Sequence, residues 1–497
     1  MHIIAPRAVV TADPHTLKVS VREGVAVAVH DGRIVDIVAT DEAAQKYSGT
    51  VLDAFPTSVL TAGFVNSHHH VGVTPFQLGV PDSSLETWIA QRSGSPWIEL
   101  GLDTHVSAIE MIRSGVTAVQ HVQAWYPTDA TDISQSGATV LDTYLSVGMR
   151  ASYSKMVRTQ MLLIHGRDEE LAVNLPAQHR DEFARQLAGL RVPLQQQIDL
   201  FAELRSRYAD EGLVRVQLAP GNLHWVSDDD IRALVAVSEE HDVPLHMHVL
   251  ETPYQDRYMD RRTSGRRLEH LQDLGLLNPR LTLGHGTWLH GGDFDILAAS
   301  GASVCHNCSS NFRLSSGRMP LNDLLDRNVN VAVGIDEAGI NDDRDMLQEL
   351  RLIHTVNREP GITGRRVSAE QVFAMATIGG ARTMGFAAGH GSITVGAPAD
   401  LVLFDENALR GPLQLDGVSV VELLVQRART AAVTHVMIDG KWVLDDGRLT
   451  TIDVDDVDSR LSAAQQALDG GQLAESRDFA GALRHAVSKW FVSEYGF

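Results

Sequence analysis

The sequence is poor in several features that mark particular classes of protein. Only two cysteines occur in 497 residues, Cys305 and Cys308, which argues against a disulfide-stabilised scaffold and favours the cytoplasm. No apolar run reaches the roughly 18 residues of a membrane span, so we predict no transmembrane segment. The N-terminus lacks a basic start followed by a long apolar stretch, and we therefore expect no signal peptide.

Positive charge is also scarce. The chain has 42 Lys and Arg residues against 63 Asp and Glu residues, a formal net charge of -21. Such an acidic surface repels nucleic-acid phosphates and anionic membrane surfaces, so we expect neither as a partner. Apolar residues are plentiful, at 44%, which is enough for a large buried core. Composition therefore predicts a soluble cytoplasmic enzyme.

Both ends of the chain show the pattern of short β-strands joined by tight turns. Asp-Gly pairs at 31–32, 439–440 and 446–447 interrupt or follow β-rich runs. Glycine accepts the positive φ that a tight hairpin turn requires. We predict a small β-sandwich domain built from residues 1–58 and 389–455.

The middle of the chain, residues 59–388, alternates between short apolar runs and helical patterns. Apolar runs such as "VPLHMHV" and "VNVAVGID" are separated by amphipathic stretches such as "LDTHVSAIEMIRSG" and "DDDIRALVAVSEEHD". Repeated strand–helix units predict a parallel sheet, and this many units favour a closed (β/α)8 TIM-like barrel, an α/β fold. Residues 160–208 are longer than one such unit needs and are predicted to form a helical lid or interface. Residues 456–497 are predicted to be a helical C-terminal tail.

Histidine pairs occur in two strings at the predicted C-terminal ends of barrel strands, where barrel enzymes place their sites. In "GFVNSHHH", His68 and His70 are two residues apart on a strand and share a face, whereas His69 points the other way. In "VPLHMHVLE", His248 is nearer the strand end and is the better metal ligand. His246 lies one layer deeper, where we expect a core or supporting role.

Two further strings end in residues suited to hydrolysis. His285 ends "LTLGH" before a glycine that leaves room for a ligand, and it could polarise a substrate group. Asp336 ends the apolar run "VNVAVGI", where a carboxylate is costly without a cation partner. Glu251 follows His248 by three residues and could move protons. A structural role for His285 and helix capping by Asp336 stay open as alternatives.

Together and in this order, the four strings resemble the amidohydrolase superfamily. The most similar branch resembles cytosine deaminase and includes triazine and guanine aminohydrolases and chlorohydrolases. The resemblance runs from "GRIVDI" to "GSITVGAPADLVLFD" and includes "VCHNCSSNFRLSSGRMPL" at residues 304–320. It implies two sets of site residues: the metal ligands His68, His70, His248 and Asp336, and the catalytic groups Glu251, His285 and Asp336.

The resemblance also bears on the number of metal ions. Some members of the superfamily hold two metals bridged by a carbamylated lysine on strand four, and the predicted fourth strand here, "LVRVQLAP", contains no lysine. One divalent ion is therefore expected. Three imidazoles and one carboxylate suit zinc, with iron or another first-row metal as alternatives. By the same resemblance we expect a homo-oligomer, a dimer or larger.

The sequence differs from that branch at one place, directly after the predicted fourth strand. Related deaminases often have a histidine in an "APH" string there, and this chain has Gly221 in "APGNLHWVS", which widens the choice of leaving group. Asn222 and His224 either face the substrate or shape the loop. Four further residues are candidates to stack on or hydrogen-bond a flat heterocycle, with packing at the barrel rim as the alternative: Gln77, Trp88, Gln91 and Trp125.

These features predict a metal-dependent hydrolase that activates water to cleave a non-peptide C–N bond. We expect an aminohydrolase acting on a small N-heterocyclic or amidine-like molecule. Hydrolytic dechlorination, or cleavage of an amide or urea-type bond, remains an alternative on the same site. A non-catalytic metal-binding protein is a second alternative, although it would need neither Glu251 nor His285.

Overall fold

The computed structural model describes residues 1–48, 50–124, 133–386 and 388–496. Its strands, in chain order, are β1 (His2–Ala12), β2 (Val19–Glu23), β3 (Val25–His30), β4 (Arg33–Ala39), β5 (Leu52–Ala62), β6 (Phe64–His69), β7 (Val116–Gln123), β8 (Arg150–Val157), β9 (Val214–Val216), β10 (Ala219–Pro220), β11 (Leu245–Val249), β12 (Leu281–His285), β13 (Ser303–His306), β14 (Val331–Val333), β15 (Leu401–Asp405), β16 (Val433–Ile438), β17 (Lys441–Asp445) and β18 (Arg448–Leu449).

The helices surround these strands. In chain order they are α1 (Thr40–Lys46), α2 (Leu85–Arg92), α3 (Leu100–Arg113), α4 (Ile133–Val147), α5 (Arg180–Leu190), α6 (Leu194–Arg207), α7 (Asp228–His241), α8 (Pro253–Thr263), α9 (Arg267–Asp273), α10 (Asp293–Ser300), α11 (Cys308–Arg313), α12 (Leu321–Leu325), α13 (Met346–Val356), α14 (Ala369–Ala374), α15 (Glu406–Arg410), α16 (Val420–Arg427), α17 (Val454–Gln466) and α18 (Gly470–Tyr495). No helix in the described part of the chain is both long enough and apolar enough to cross a bilayer.

The central strands form a parallel barrel. One ladder runs from β6 through β7 and β8 to β9 and β10, and a second runs from β11 through β12 and β13 to β14. Strand β7 is buried along its whole length, as expected of a parallel strand with side chains packed on both faces. The helices around it bury apolar residues such as Ala108 on α3 and Leu141 on α4 in the same hydrophobic cluster.

Bridging residue pairs join the two ladders on both sides. On one side Leu218 pairs with Leu245 in parallel. On the other side His69 pairs with Asp336, whose backbone N–H donates to the carbonyl of His68 at 2.8 Å. The ring of strands is therefore closed, and the predicted (β/α)8 barrel is confirmed. This closure places Asp336, from the last barrel strand, beside the histidines of the first.

Strands from both ends of the chain join in one nine-stranded sheet, in the order β18-β17-β16-β15-β5-β1-β3-β4 with β2 on β1. All three predicted Asp-Gly turns have positive φ at both residues, with values of 46° and 75° at Asp31 and Gly32, 50° and 74° at Asp439 and Gly440, and 47° and 75° at Asp446 and Gly447. The contribution of both termini to one β-structure is thus confirmed. The residue limits given above for the domains remain a prediction.

A second group of helices lies at the end of the barrel where the strands finish. Helix α18 packs against α2, which follows β6. It also shares a separate hydrophobic cluster with residues that follow β8 and with Tyr254, which follows β11. We call α5, α18 and residues 162–175 the roof. Its buried apolar members include Leu162, Ile164, Leu171, Phe183, Leu187, Phe479, Leu483, Val487 and Phe491.

Candidate metal centre

Four side chains from three barrel strands converge at the end of the barrel. The Nε2 atom of His70 lies 3.1 Å from Nε2 of His68, 3.3 Å from Nε2 of His248 and 3.2 Å from Oδ1 of Asp336. The Nε2 atom of His68 is 3.6 Å from the same oxygen. Ligands at about 2.0–2.1 Å around a tetrahedral zinc ion are roughly 3.3 Å from one another. The spacing of these four groups therefore fits one divalent cation.

The other ring nitrogens of two of these histidines are fixed by backbone carbonyls. His70 donates through Nδ1 to the carbonyl of Val122 at 2.5 Å, and His248 donates through Nδ1 to the carbonyl of Gly221 at 3.1 Å. Each ring in its neutral form then has an unprotonated Nε2 directed at the shared point. Outer hydrogen bonds of this kind fix the orientation of metal-binding histidines.

The third histidine is held by another histidine. Nδ1 of His68 lies 2.6 Å from Nε2 of His246, and both side chains are fully buried. Burial, together with neighbouring imidazoles, lowers the pKa of His68 and of His248 well below the usual value. Burial likewise lowers the pKa of His246 to about 3. These rings are therefore neutral at physiological pH, and neutral imidazole is the form that binds metals.

Asp336 is negatively charged in this setting. Burial alone would raise its pKa, but hydrogen bonds from His70 and Ser310 and the nearby His285 outweigh burial and lower it. The same contact raises the pKa of His70 against the effect of its own burial. A cation bound at the shared point would take the place of the proton that His70 and Asp336 otherwise share. The donor set is thus three imidazoles and one carboxylate, as zinc prefers.

His285 and Glu251 lie next to this centre. Nε2 of His285 is 3.7 Å from Oδ2 of Asp336, and its Nδ1 is 3.8 Å from Oε1 of Glu251. Burial raises the pKa of Glu251, which favours its protonated, proton-donating form. His285 and Asp336 have φ values of 71° and 63°, a region that non-glycine residues rarely adopt. Such backbone strain is concentrated at functional sites.

Helix α11 contacts both His285 and Asp336. The hydroxyl of Ser310 donates to Oδ2 of Asp336 at 2.5 Å, and Oδ1 of Asn311 lies 2.9 Å from Nδ1 of His285. Glu349 on α13 accepts a hydrogen bond from the N–H of Ser309 at 2.9 Å and another from its hydroxyl. We did not identify these residues from the sequence, because nothing within the string at 304–320 distinguishes one polar residue from another.

Glu251 has its own supporting contacts. Gln255 accepts hydrogen bonds from the backbone N–H of Glu251 and from the side-chain amide of Asn222, both at 2.9 Å. The hydroxyl of the next residue, Thr252, donates to Glu86 at 2.6 Å. Burial raises the pKa of Glu86 to about 7, and its Oε2 has no hydrogen-bond partner among the residues that the structure describes. Glu86 was also missed, since a single carboxylate on a helix gives no sequence signal.

The three residues near the first metal string that are predicted to contact substrate lie in different environments. Trp88 is buried and lines a small cavity together with Ser310 and Glu337. Gln77 is exposed, and its Oε1 accepts a hydrogen bond from the N–H of Thr74 at 2.8 Å. The Oε1 atom of Gln91 is buried without a partner in the described ranges.

The remaining predicted contacts lie elsewhere. The side-chain amide of Asn222 donates to Gln255, as described above, and its backbone pairs with that of His248. The ring of His224 packs 4.5 Å from that of His165, centroid to centroid, in contact with the roof. Trp125 lies outside the described residues.

Comparison with known proteins gives relatives of similar length. Residues 59–443 match the model of the amidohydrolase family. A 5-methylthioadenosine/S-adenosylhomocysteine deaminase of Syntrophobacter fumaroxidans is 28% identical over 443 residues, 88% of this chain and 92% of that protein. A 5'-deoxyadenosine deaminase of Methanothermobacter thermautotrophicus is 29% identical over 458 residues, 90% of this chain and 96% of that protein. The crystal structure of an adenosine deaminase from Xanthomonas campestris with bound zinc superposes with a TM-score of 0.77, at 27% identity, covering 96% and 98% of the two chains.

Proposed function

This chain belongs to the amidohydrolase family, and from that membership we propose a substrate class for it and a role for each site residue. The predicted activity is confirmed at the level of class: the protein is a metal-dependent aminohydrolase that cleaves a non-peptide C–N bond in a small molecule. We propose that the substrate is an adenosine derivative modified at the 5′ position. The adenine ring has one exocyclic amino group, at C6, so the products are the corresponding inosine derivative and ammonia.

The observation that supports this proposal most is the convergence of four ligand atoms on one point. His68, His70, His248 and Asp336 would hold one divalent ion, and their separations of 3.1 to 3.6 Å support that assignment. The absence of lysine from β9 and β10 (residues 214–216 and 219–220) supports a single ion. We propose zinc, because neutral imidazoles with one carboxylate suit it. When bound, such an ion supplies Lewis-acid activation of water.

We propose that the residues next to the metal position transfer the protons. Asp336 and Glu251 would accept the proton that water loses as its oxygen bonds to C6. Glu251, which burial keeps readily protonated, would then deliver a proton to the departing nitrogen, so that one water is consumed and one ammonia leaves. His285 lies within 3.8 Å of both carboxylates and would stabilise the charge that develops on the tetrahedral adduct.

The experiment that tests this function is an assay of ammonia and halide release over a panel of compounds. The panel contains adenosine, 5-methylthioadenosine, guanine and a chlorinated triazine, because each represents one chemistry open to this type of site. We expect ammonia from the two adenosines and no halide from the triazine. Halide release, or ammonia from guanine alone, would overturn the proposed substrate class.

Two further predictions remain proposals. We propose that the protein is a homo-oligomer, by analogy with similar barrels, and that it functions in the cytoplasm. Its two cysteines are buried free thiols, a state that a reducing compartment maintains.

A further inference from the structure

Helix α11 carries two side chains that contact the candidate metal centre, but it contributes little to the hydrophobic core. It is only six residues long, whereas isolated helices shorter than about 12–15 residues are marginal in water. Of its six side chains, Cys308 is apolar and buried, while Phe312 is 40% exposed. Polar contacts at the two ends of the helix therefore have a large share in fixing its position.

Arg313, the last residue of α11, donates hydrogen bonds through all three of its guanidinium nitrogens. Nε and Nη2 each donate to one carboxylate oxygen of Asp82 at 3.0 Å. Nη2 also donates to Oδ1 of Asp342 at 2.9 Å, and Nη1 donates to the carbonyl of Gly339 at 2.8 Å. A bidentate pair between arginine and a carboxylate, within a network of charges, is the kind of surface contact that holds a defined geometry.

These contacts join α11 to two other segments at the end of the barrel. Asp82 lies between β6 and α2, whereas Gly339 and Asp342 lie between β14 and α13. The hydroxyl of Thr74, which follows β6, donates to Oδ2 of Asp342 at 2.7 Å, so these two segments also bond each other. We call Arg313, Asp82, Asp342 and Thr74 the clasp. It connects the first and last strands of the barrel, and three of the four proposed metal ligands lie at or just beyond the ends of those strands.

The clasp lies close to the side chains that support the metal centre. One small cavity is lined by Arg313 and Asp82 of the clasp and also by Ser310, whose hydroxyl donates to Asp336. Leu314, the residue after the helix, shares a buried apolar cluster with residues of α2 and of the segment before it. The end of α11 is thus attached to the segment after β6 by both polar and apolar contacts.

We propose that Arg313 is a positioning residue of this site. It fixes the end of α11, and the helix in turn holds Ser310 against Asp336 at 2.5 Å. Asn311 is held against His285 at 2.9 Å by the same helix. The inference rests on the proposed function, because that function gives Asp336 and His285 their roles in the reaction.

The position of Arg313 determines which kinetic constant should change. Its hydrogen bonds go to the clasp and to Gly339, so its effect on the reaction is transmitted through α11. A displacement of catalytic groups by about 1 Å can lower turnover by about 100-fold, even when the altered residue is remote from the chemistry. Loss of the clasp should therefore lower kcat and leave KM nearly unchanged.

The test compares Arg313→Ala with Arg327→Ala. Arg327 is a matched control, because it likewise pairs with a carboxylate, that of Asp295 at 2.6 Å, and donates to a backbone carbonyl. It precedes β14 and so lies at the opposite end of that strand from Asp336. Kinetic constants are measured with adenosine and 5-methylthioadenosine, zinc affinity by competition with a chelator, and the melting temperature by calorimetry.

We expect Arg313→Ala to lower kcat by about 10- to 100-fold with KM within about twofold of the wild type. Zinc affinity should fall by about tenfold, because the hydrogen bond from Ser310 that orients the carboxylate of Asp336 is weakened. Arg327→Ala should match the wild type in kcat, KM and zinc affinity.

Two further variants test whether the effect is transmitted through the clasp. Arg313→Lys should recover part of the lost kcat, because an ammonium group can pair with one carboxylate but cannot form the bidentate pair. Asp342→Asn keeps a residue that tolerates the φ of 65° at this position and can still bond Thr74. It should lower kcat alone but cause no further loss in combination with Arg313→Ala, because both changes remove the same contact.

The outcomes separate this inference from the function on which it rests. A raised KM with unchanged kcat, or equal behaviour of Arg313→Ala and Arg327→Ala, would overturn the positioning role. Additive losses in the double variant would show that the clasp is not the route. If Arg313→Ala does not fold, Arg313→Lys compared with Arg327→Lys decides in the same way. If the wild type releases no ammonia from any adenosine, the proposed function falls; unchanged zinc affinity in Arg313→Ala would then overturn the inference as well.

Discussion

His246 and His68 lie on adjacent layers of the barrel, with Nε2 of the deeper residue 2.6 Å from Nδ1 of the outer one. The deeper ring fixes the orientation of the outer ring, whose Nε2 is directed at the proposed metal position. Both side chains are inaccessible to solvent, so water cannot replace this contact. We therefore expect the loss of this contact to lower the affinity for the metal.

We expect His246→Phe to weaken zinc binding by about 10- to 100-fold, because it removes the partner of a ligand while retaining a ring of similar size. His69→Phe is the matched control, since His69 is equally buried and neither of its ring nitrogens has a hydrogen-bond partner among the described residues. Competition with a chelator measures both affinities. Equal affinities in the two variants would contradict the role assigned to His246.

Glu251→Gln should retain one metal ion per chain and lose turnover by about 10²- to 10⁴-fold. The amide cannot accept and return a proton, although it preserves the size of the side chain and the backbone bond to Gln255. Metal analysis and single-turnover kinetics on the same preparation measure the two properties separately. Full turnover by the metal-loaded variant would refute the proton-transfer role.

Glu349 should act on catalysis only through the position of α11. Glu349→Ala removes the acceptors for both the N–H and the hydroxyl of Ser309, the neighbour of Ser310, which bonds Asp336. We expect kcat to fall by about tenfold with little change in KM, since small misplacements of catalytic groups are costly. Glu349→Gln offers one acceptor and one donor in the same place and should restore most of the activity. If both variants behave alike, a positioning role is excluded.

Stability at acidic pH should depend on Asp400. Burial alone would raise its pKa, but Arg150, at 2.6 Å, and His390 outweigh burial and lower the pKa to about 2. The folded pKa thus lies below the unfolded value of about 3.9, so this contribution to stability is complete above that value and is lost as the pH falls towards the folded pKa.

Asp400→Asn should therefore cost about 3–5 kcal/mol of unfolding free energy at neutral pH, because it leaves Arg150 without its buried partner. The difference from the wild type should shrink between about pH 4 and about pH 2. Urea unfolding across this range measures it, with the exposed Asp416→Asn as a control. A difference that stays constant with pH would contradict the assignment.

The sequence supports the prediction of the barrel and the metal centre because both depend on short-range periodicity. His68 and His70 share a face through the two-residue period of a strand, and Asp336 ends an apolar run that must be a strand end. The contacts around them depend on which side-chain rotamers meet across the fold. Thus the bond from Asn222, which is expected either to face the substrate or to shape the loop, to Gln255 and the pairing of Ser310 with Asp336 gave no sequence signal.

The roof was only partly predictable for the same reason. The pattern of residues 160–208 predicts a helical lid or interface and that of residues 456–497 a helical tail, but neither pattern gives the residues against which these helices pack. Their position depends on contacts between residues far apart in the chain, such as Gly94 with Ser476 and His165 with Tyr495. No local pattern encodes such pairs, so the packing of these helices becomes visible only in three dimensions.

The most direct test of this account is anomalous diffraction from crystals of the zinc-loaded protein, recorded on both sides of the zinc absorption edge. We predict one strong peak per chain, at about 2.0–2.2 Å from Nε2 of His68, His70 and His248 and from a carboxylate oxygen of Asp336. A peak bound by other residues, or no peak within coordinating distance of these four atoms, would contradict it.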